Sequence, residues 1–178
     1  NRLCLWLSPV ALAIVLGYSY AKRYTAAAHL VLGLSLAIAP VGAWVAVTGA
    51  FALPPVLLGL AVLFWVAGFD VIYSLQDLEF DRREGLRSIP ARFGAARALQ
   101  IARLFHGATL VLLYAVFLSV HGGWLFGAAV VVAGGFLVRQ HRLVSPSDLS
   151  RVDAAFFTAN GWLSVAVLVL GAADVFLR

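Results

Sequence analysis

Long apolar runs with few or no charges alternate with short polar connections along the whole chain. Each run has about the length, roughly 20 residues, that an α-helix needs to cross the hydrocarbon core of a bilayer. The runs cover residues 3–20, 26–47, 53–76, 98–120, 122–138 and 154–175. The pattern predicts an all-α fold, a polytopic transmembrane bundle of about six spanning helices that forms one domain over residues 1–178.

Composition narrows the class of protein further. Hydrophobic residues make up 63% of the chain and charged residues 12%, which excludes an ordinary soluble domain. In a membrane protein, the net charge of +5 indicates basic loops that face an anionic membrane surface or an anionic substrate, not nucleic acid. Cys4 is the single cysteine, so an intrachain disulfide is excluded.

The basic residues mark one side of the predicted bundle. All but two of the 13 Lys and Arg residues follow the first run, lie between the third and fourth runs or the start of the fourth, or lie between the fifth and sixth. The connections near residues 48–49 and 121 carry none. By the positive-inside rule, the charged connections are cytoplasmic, as expected for a protein of the bacterial inner membrane. They share one membrane face and can therefore build one site.

Candidate chemistry lies in "DVIYSLQDLEFDRREGLRSIPARFG", residues 70–94, where the third run ends. On one continuous helix, Asp70, Asp77 and Asp81 form an acidic stripe and Glu79 points to the opposite side. An Asp within a spanning helix costs about 2.5–3.5 kcal/mol, so Asp70 needs a specific role. Carboxylates four residues apart repel each other, and a divalent cation shared by Asp77 and Asp81 removes that repulsion. Oxygen ligands of this kind favour Mg²⁺.

Other interpretations of the stripe stay open from the residues alone. The aspartates could pair with neighbouring arginines and cap the helix end. They could also conduct cations, although a conduction path needs polar residues in several spans and the fourth and fifth runs carry almost none. The local arginines suit an anion, and a diphosphate matches guanidinium geometry. Asn160, in the sixth run, is equally consistent with an interhelical hydrogen bond and with substrate contact. The four histidines lack metal-ligand spacing, and we interpret them as helix-packing or interfacial residues.

The acidic segment resembles the second aspartate-rich motif of the UbiA-type intramembrane prenyltransferases, Asp-x-x-Tyr-x-x-x-Asp-x-x-x-Asp. Asp70, Tyr73, Asp77 and Asp81 match it. "YSYAKRYT" (residues 18–25) is similar to the Tyr-Pro-x-x-Lys-Arg-x-Thr loop of that family, with Ser in place of Pro, and "AFFTANGWLS" (residues 155–164) is similar to its last-helix segment. The three matches occur in family order, and the 4-hydroxybenzoate polyprenyltransferase branch is the most similar.

The resemblance implies transfer of a polyprenyl group from an isoprenoid diphosphate to an aromatic acceptor with Mg²⁺. The implied acceptor is 4-hydroxybenzoate or a related precursor in ubiquinone or menaquinone biosynthesis, and haem O or chlorophyll-type acceptors remain alternatives. By the same resemblance, Asp77 and Asp81 bind Mg²⁺, and Lys22, Arg23 and Arg87 hold the diphosphate. Asp70 orients the acceptor or assists proton removal, and Tyr73 hydrogen-bonds near the reacting carbon. Asn160 is a candidate substrate contact.

The family pattern also includes about nine spans and an earlier Asn-x-x-x-Asp-type motif. This sequence has six predicted spans and no such motif. We therefore expect it to correspond to the C-terminal two-thirds of the family fold, without its N-terminal helices. We also expect that it does not turn over substrate on its own.

The predicted orientation can be measured directly. If the charge asymmetry sets topology, a cysteine introduced at Arg83 in intact cells reacts only with membrane-permeant reagents, whereas cysteines at residues 49 and 121 react with impermeant ones. Labelling of the Arg83 position from outside would contradict the orientation.

Overall fold

The computed structural model describes residues 1–177, and within this range the chain folds into eight α-helices and one π-helical turn. The helices are α1 (Arg2–Tyr24), α2 (Ala28–Thr48), α3 (Leu53–Tyr73), α4 (Leu78–Arg83), α5 (Ile89–Phe93), α6 (Ala95–Ser119), α7 (Trp124–Arg142) and α8 (Ala159–Phe176). The π-helical turn (Ala154–Thr158) leads directly into α8.

The six predicted spans are confirmed as six helices that are long and apolar enough to cross a membrane. Their ends differ from the predicted ones by a few residues. The fifth span continues to Arg142 instead of residue 138, because its last turn is basic and polar and still helical. The third ends at Tyr73 instead of residue 76. The all-α membrane fold class is confirmed.

Helix α3 lies between α2 and α6, and small residues allow both contacts to be close. On the α2 side, a Cβ at Gly33 would overlap the backbone carbonyl of Leu63. On the α6 side, a Cβ at Gly68 would overlap the ring of His106. In lipid, such close approach replaces the hydrophobic effect as the force that holds helices together. The position of α3 therefore depends on glycine at these two crossings.

The sequence predicted one continuous helix through the three aspartates, and this was wrong. After Tyr73 the chain makes a turn in which Leu75, Gln76, Asp77 and Leu78 each donate a backbone hydrogen bond three residues back. Such a turn advances about 120° per residue instead of 100°. The acidic positions after it are thus rotated away from the face that carries Asp70.

The charged connections gather at one end of the bundle, as predicted. The Arg87 guanidinium donates to the Tyr24 carbonyl at 2.9 Å, which joins the segment between α4 and α5 to the end of α1. The Gln76 side chain donates to Asp153 at 3.3 Å, which joins the end of α3 to the connection before α8. Helices from both halves of the chain thus contribute to this end, called the charged end below.

At the opposite end, Asp174 caps a helix other than its own. Its side chain is buried, and its carboxylate accepts backbone hydrogen bonds from Gly123 (2.9 Å) and Phe126 (3.1 Å) at the start of α7. A carboxylate at a helix N-terminus satisfies N–H groups that have no intrahelical partner and interacts favourably with the helix dipole. Asp174 therefore fastens α8 to the beginning of α7.

We expect Asp174→Ala to lower the free energy of unfolding by about 2 kcal/mol or more, since it removes two hydrogen bonds to a charged group and leaves buried N–H donors unpaired. Denaturant titration in detergent measures the loss. Asp148→Ala is the matched control, because the Asp148 side chain is exposed and bonds Ser150 within its own loop. Equal effects of the two substitutions would contradict the capping role.

Candidate functional site

The two aspartates that were predicted to bind metal lie near the same lysine. The Lys22 ammonium lies 3.9 Å from Asp77 Oδ2 and 3.7 Å from Asp81 Oδ2. The Asp81 side chain is almost fully buried, whereas half of the Asp77 side chain is exposed. Asp77 ends the turn that follows α3, and Asp81 lies one helical turn further on, in α4. The break after Tyr73 thus directs these two carboxylates toward the last turn of α1.

The donor set around Lys22 fits Mg²⁺ as two carboxylate ligands of an open site. Asp81 Oδ2 is buried and accepts no hydrogen bond from the residues that the structure describes. A buried carboxylate oxygen of this kind favours nearby positive charge, which the Lys22 ammonium supplies at 3.7 Å and a bound cation would increase. Within residues 1–177, no group of three or more acidic, His or Cys side chains forms a closed metal cage. Two carboxylates with water and phosphate oxygens is the arrangement that Mg²⁺ usually takes.

Arg87 lies beside this pair on a segment that folds back over α1. Its backbone N–H donates to the Lys22 carbonyl at 2.7 Å, and the preceding Leu86 N–H donates to the Asp81 carbonyl at 2.8 Å. A cavity of about 520 Å³ opens here and is lined by three arginines, Arg82, Arg87 and Arg92. Backbone hydrogen bonds therefore attach the segment that carries Arg87 to both Asp81 and Lys22.

Arg23, the other predicted diphosphate residue, directly follows Lys22 in the last turn of α1. It is exposed, and its guanidinium lies 6.0 Å from the centre of the Tyr20 ring. The structure brings Lys22 and Arg87 into the group around Asp77 and Asp81 and does not bring Arg23 into contact with it.

Asp70 has a separate partner, His29. Its Oδ2 lies 2.6 Å from His29 Nδ1, and the ring is fully buried. The other ring nitrogen, Nε2, accepts a hydrogen bond of 3.2 Å from the Ile89 backbone N–H. His29 is buried between helices, as expected for a helix-packing residue, and both of its ring nitrogens also have specific polar partners. Asp70 is the deepest of the three aspartates and does not share Lys22.

Tyr73 belongs to an aromatic cluster at the inner edge of the charged end. Its ring lies 4.3 Å, centre to centre, from Phe156 and 6.3 Å from Phe157, both in the π-helical turn. Phe156 in turn packs edge-on against Phe69, and Phe69 against Trp65. π-Helical turns occur frequently at functional sites. Here the turn places two phenylalanines against the face of α3 that carries Tyr73.

Asn160 makes hydrogen bonds between helices. Its Oδ1 accepts from the Trp65 indole at 3.1 Å and from Gln140 Nε2 at 3.5 Å, and Gln140 also donates to the Ala155 carbonyl at 2.8 Å. The structural interpretation of Asn160 is thus confirmed. Its contact with substrate stays a prediction. His106 and His141 pack against each other, with Nδ1 and Nε2 2.9 Å apart, as expected for packing residues.

An apolar cavity of about 750 Å³ continues from the aromatic cluster toward the uncharged end. Trp65 and Leu163 line its inner part, and Val120 and Val175 line its outer part. Measured along α8 at 1.5 Å per residue, the cavity is roughly 18 Å long. Its elongated shape and apolar walls suit a hydrocarbon chain.

One feature of the sequence indicated a pairing that our sequence analysis did not identify. A buried ionisable group within a membrane span needs a partner, so Asp70 implied one. The sequence did not indicate that this partner is His29, because His29 is 41 positions away and the contact depends on how α2 crosses α3.

A bundle of six long apolar helices, with carboxylates, a lysine and arginines gathered at one end, defines an integral membrane protein. A family model, the UbiA prenyltransferase family, matches residues 1–165. The chain belongs to this family.

Relatives in two bacteria are named 4-hydroxybenzoate octaprenyltransferase. The protein of Ectopseudomonas mendocina is 33% identical over all of this chain and 60% of its own length. The protein of Nitrosomonas eutropha is 32% identical over 90% of this chain and 56% of its own length. The chain thus spans about three fifths of the length of these curated relatives. A solved apo structure of a UbiA homologue from Aeropyrum pernix K1 is similar as well, with a TM-score of 0.87 and 33% identity over 98% of this chain and 65% of that one.

Proposed function

We propose that this chain carries the diphosphate-binding end and the prenyl cavity of an enzyme that transfers a polyprenyl group from an isoprenoid diphosphate to an aromatic acceptor. The acceptor class we propose is 4-hydroxybenzoate or a related quinone precursor, in ubiquinone or menaquinone biosynthesis. Family membership and the names of the bacterial relatives support the reaction class. They favour a transferase over cation conduction.

One observation carries the proposal: Asp77, Asp81, Lys22 and Arg87 lie together at the charged end, and an apolar cavity begins beyond the aromatic cluster next to it. A polyprenyl diphosphate has the same division into a charged head and a long apolar tail. In this arrangement the head lies among the carboxylates and basic groups, and the tail extends toward the opposite membrane face.

In the proposed mechanism, Asp77 and Asp81 would hold Mg²⁺, and a bound ion would supply positive charge to offset that of the leaving diphosphate. Arg87 presents a planar guanidinium to the phosphate oxygens, and its backbone bond to Lys22 keeps it in place. Lys22 is within reach of both the carboxylates and a bound head group. These groups stabilise negative charge as the allylic C–O bond breaks.

Positive charge develops on the prenyl group at the same time, and it develops at the inner edge of the charged end. Aromatic faces attract cations. Tyr73 and Phe156 supply such faces at this level of the bundle. Asp70, at the same end of α3, is the base or orienting group that we propose for the acceptor, from which a ring proton must leave after the new C–C bond forms.

The metal site is tested by paired substitutions. Asp77→Asn and Asp81→Asn should each reduce Mg²⁺-dependent prenyl transfer about 100-fold or more, because each removes a charged ligand. The assay is prenylation of 4-hydroxybenzoate by a polyprenyl diphosphate in membranes that contain the full-length protein, because this chain is not expected to turn over substrate on its own.

Glu79→Gln is the matched control, since Glu79 lies in the same helix, α4, but is exposed and pairs with Arg82 at 3.6 Å. It should keep nearly full activity. Loss of activity from Glu79→Gln as large as that from the two aspartate variants would show that the Lys22 carboxylate pair is not the site.

The cavity is tested by blocking it. Gly171 lines it, and a Cβ at this position meets nothing within 4 Å, so Gly171→Phe can project into the cavity without a backbone clash. We expect this variant to discriminate against long prenyl diphosphates while short ones react as before. Gly135→Phe is the control, because Gly135 is exposed and equally unobstructed but does not line the cavity. A parallel loss for short and long chains would contradict a role of the cavity in holding the tail.

A further inference from the structure

His29 connects three elements through one buried ring. It lies in the first turn of α2 with no exposed surface. Its Nδ1 is 2.6 Å from Asp70 Oδ2 in α3, and its Nε2 is 3.2 Å from the backbone nitrogen of Ile89 at the start of α5. The proposed mechanism uses Asp70 and assigns no role to His29.

The Ile89 bond determines which ring nitrogen carries the proton. A backbone N–H can only donate, so His29 Nε2 is an acceptor there. The proton of the imidazole is then on Nδ1 and is donated to Asp70. At 2.6 Å this is a short hydrogen bond of the charge-assisted kind. The Ile89 amide thus determines that His29 presents an N–H donor to the Asp70 carboxylate.

The contact restrains Asp70 without covering it. His29 bonds Oδ2, and one fifth of the Asp70 side chain stays exposed. A carboxylate on a free side chain samples several rotamers, whereas one held by a fixed donor keeps a single orientation. Buried groups of this kind fix the orientation of residues that contact substrate, and small displacements of such residues reduce rates strongly.

We infer that His29 is a positioning residue, which holds the Asp70 carboxylate in the orientation required to align the aromatic acceptor or receive its proton. The inference rests on the proposed function, because it assigns the orientation of a group that acts in that reaction. Ile89 completes the arrangement by fixing the tautomer, so its backbone contributes to the site although its side chain does not.

A merely structural role makes a different prediction. His29 also holds the start of α5, two residues after Arg87. If the ring served only to anchor that segment, its loss would displace Arg87 and raise the KM for the prenyl diphosphate while kcat stayed the same. A positioning role predicts the reverse, a lower kcat with the KM for the diphosphate unchanged.

The experiment compares substitutions that keep or remove the two bonds. His29→Leu removes both and should lower kcat for acceptor prenylation about 10- to 100-fold. His29→Gln, whose amide has a donor and an acceptor, should recover most of the rate. Ser35→Ala is the control in the same helix, because the Ser35 hydroxyl bonds the Val31 carbonyl of its own helix, and it should match the wild type.

A double-mutant cycle decides whether His29 acts through Asp70. Adding His29→Leu to Asp70→Asn should cause no further loss, since the group that His29 orients is already gone. Additive losses, or a His29→Leu variant with wild-type kcat, would overturn the inference while leaving prenyl transfer intact. No product from the full-length wild-type protein would overturn the proposed function and this inference with it. If His29→Leu does not fold, His29→Asn, whose shorter amide cannot reach both partners, replaces it in the cycle.

Discussion

The buried carboxylate of Asp81 is the constraint on which the charged end depends. Its Oδ2 is withdrawn from water and has the Lys22 ammonium 3.7 Å away as its opposite charge. An uncompensated buried charge costs several kcal/mol, so the end of α1 must lie against α4. That contact brings the Leu86 and Arg87 amides onto the carbonyls of Asp81 and Lys22. The path of the chain into α5, and with it the Ile89 bond to His29, follows from this one pairing.

The overall architecture could be predicted because it follows from local properties of the chain. Each span is visible as an apolar run of sufficient length with at most one charged residue, and the alternation of basic connections indicated correctly that Lys22, Arg87 and Arg151 belong to one end. The convergence of Asp77 and Asp81 was also predictable, since a helix that starts directly after Asp77 brings residues four positions apart to one face whether or not the preceding helix continues.

The features that were missed depend on tertiary contacts. The turn after Tyr73 contains no Gly or Pro, and no local signal marks the end of α3 there. In the structure, Ser74 bonds the Val71 carbonyl and Gln76 reaches Asp153, 77 positions away. The pairings of Asp70 with His29 and of Asp174 with the start of α7 likewise join distant segments. A buried acidic residue in a span indicates that a polar partner exists, but only the packing of the helices shows which residue that partner is.

The break after Tyr73 has a chemical consequence. On one continuous helix, the three aspartates would share one environment and would compete for the same cation. The turn instead gives Asp77 and Asp81 to a lysine and leaves Asp70 with a neutral N–H donor. A carboxylate beside a cation is suited to binding metal and phosphate, whereas one held by an imidazole N–H remains available to an uncharged acceptor or its proton. One short segment thus provides two kinds of carboxylate. Tyr73, which packs against Phe156, lies between them in the chain. At this level the apolar tail of the proposed prenyl substrate would meet its charged head.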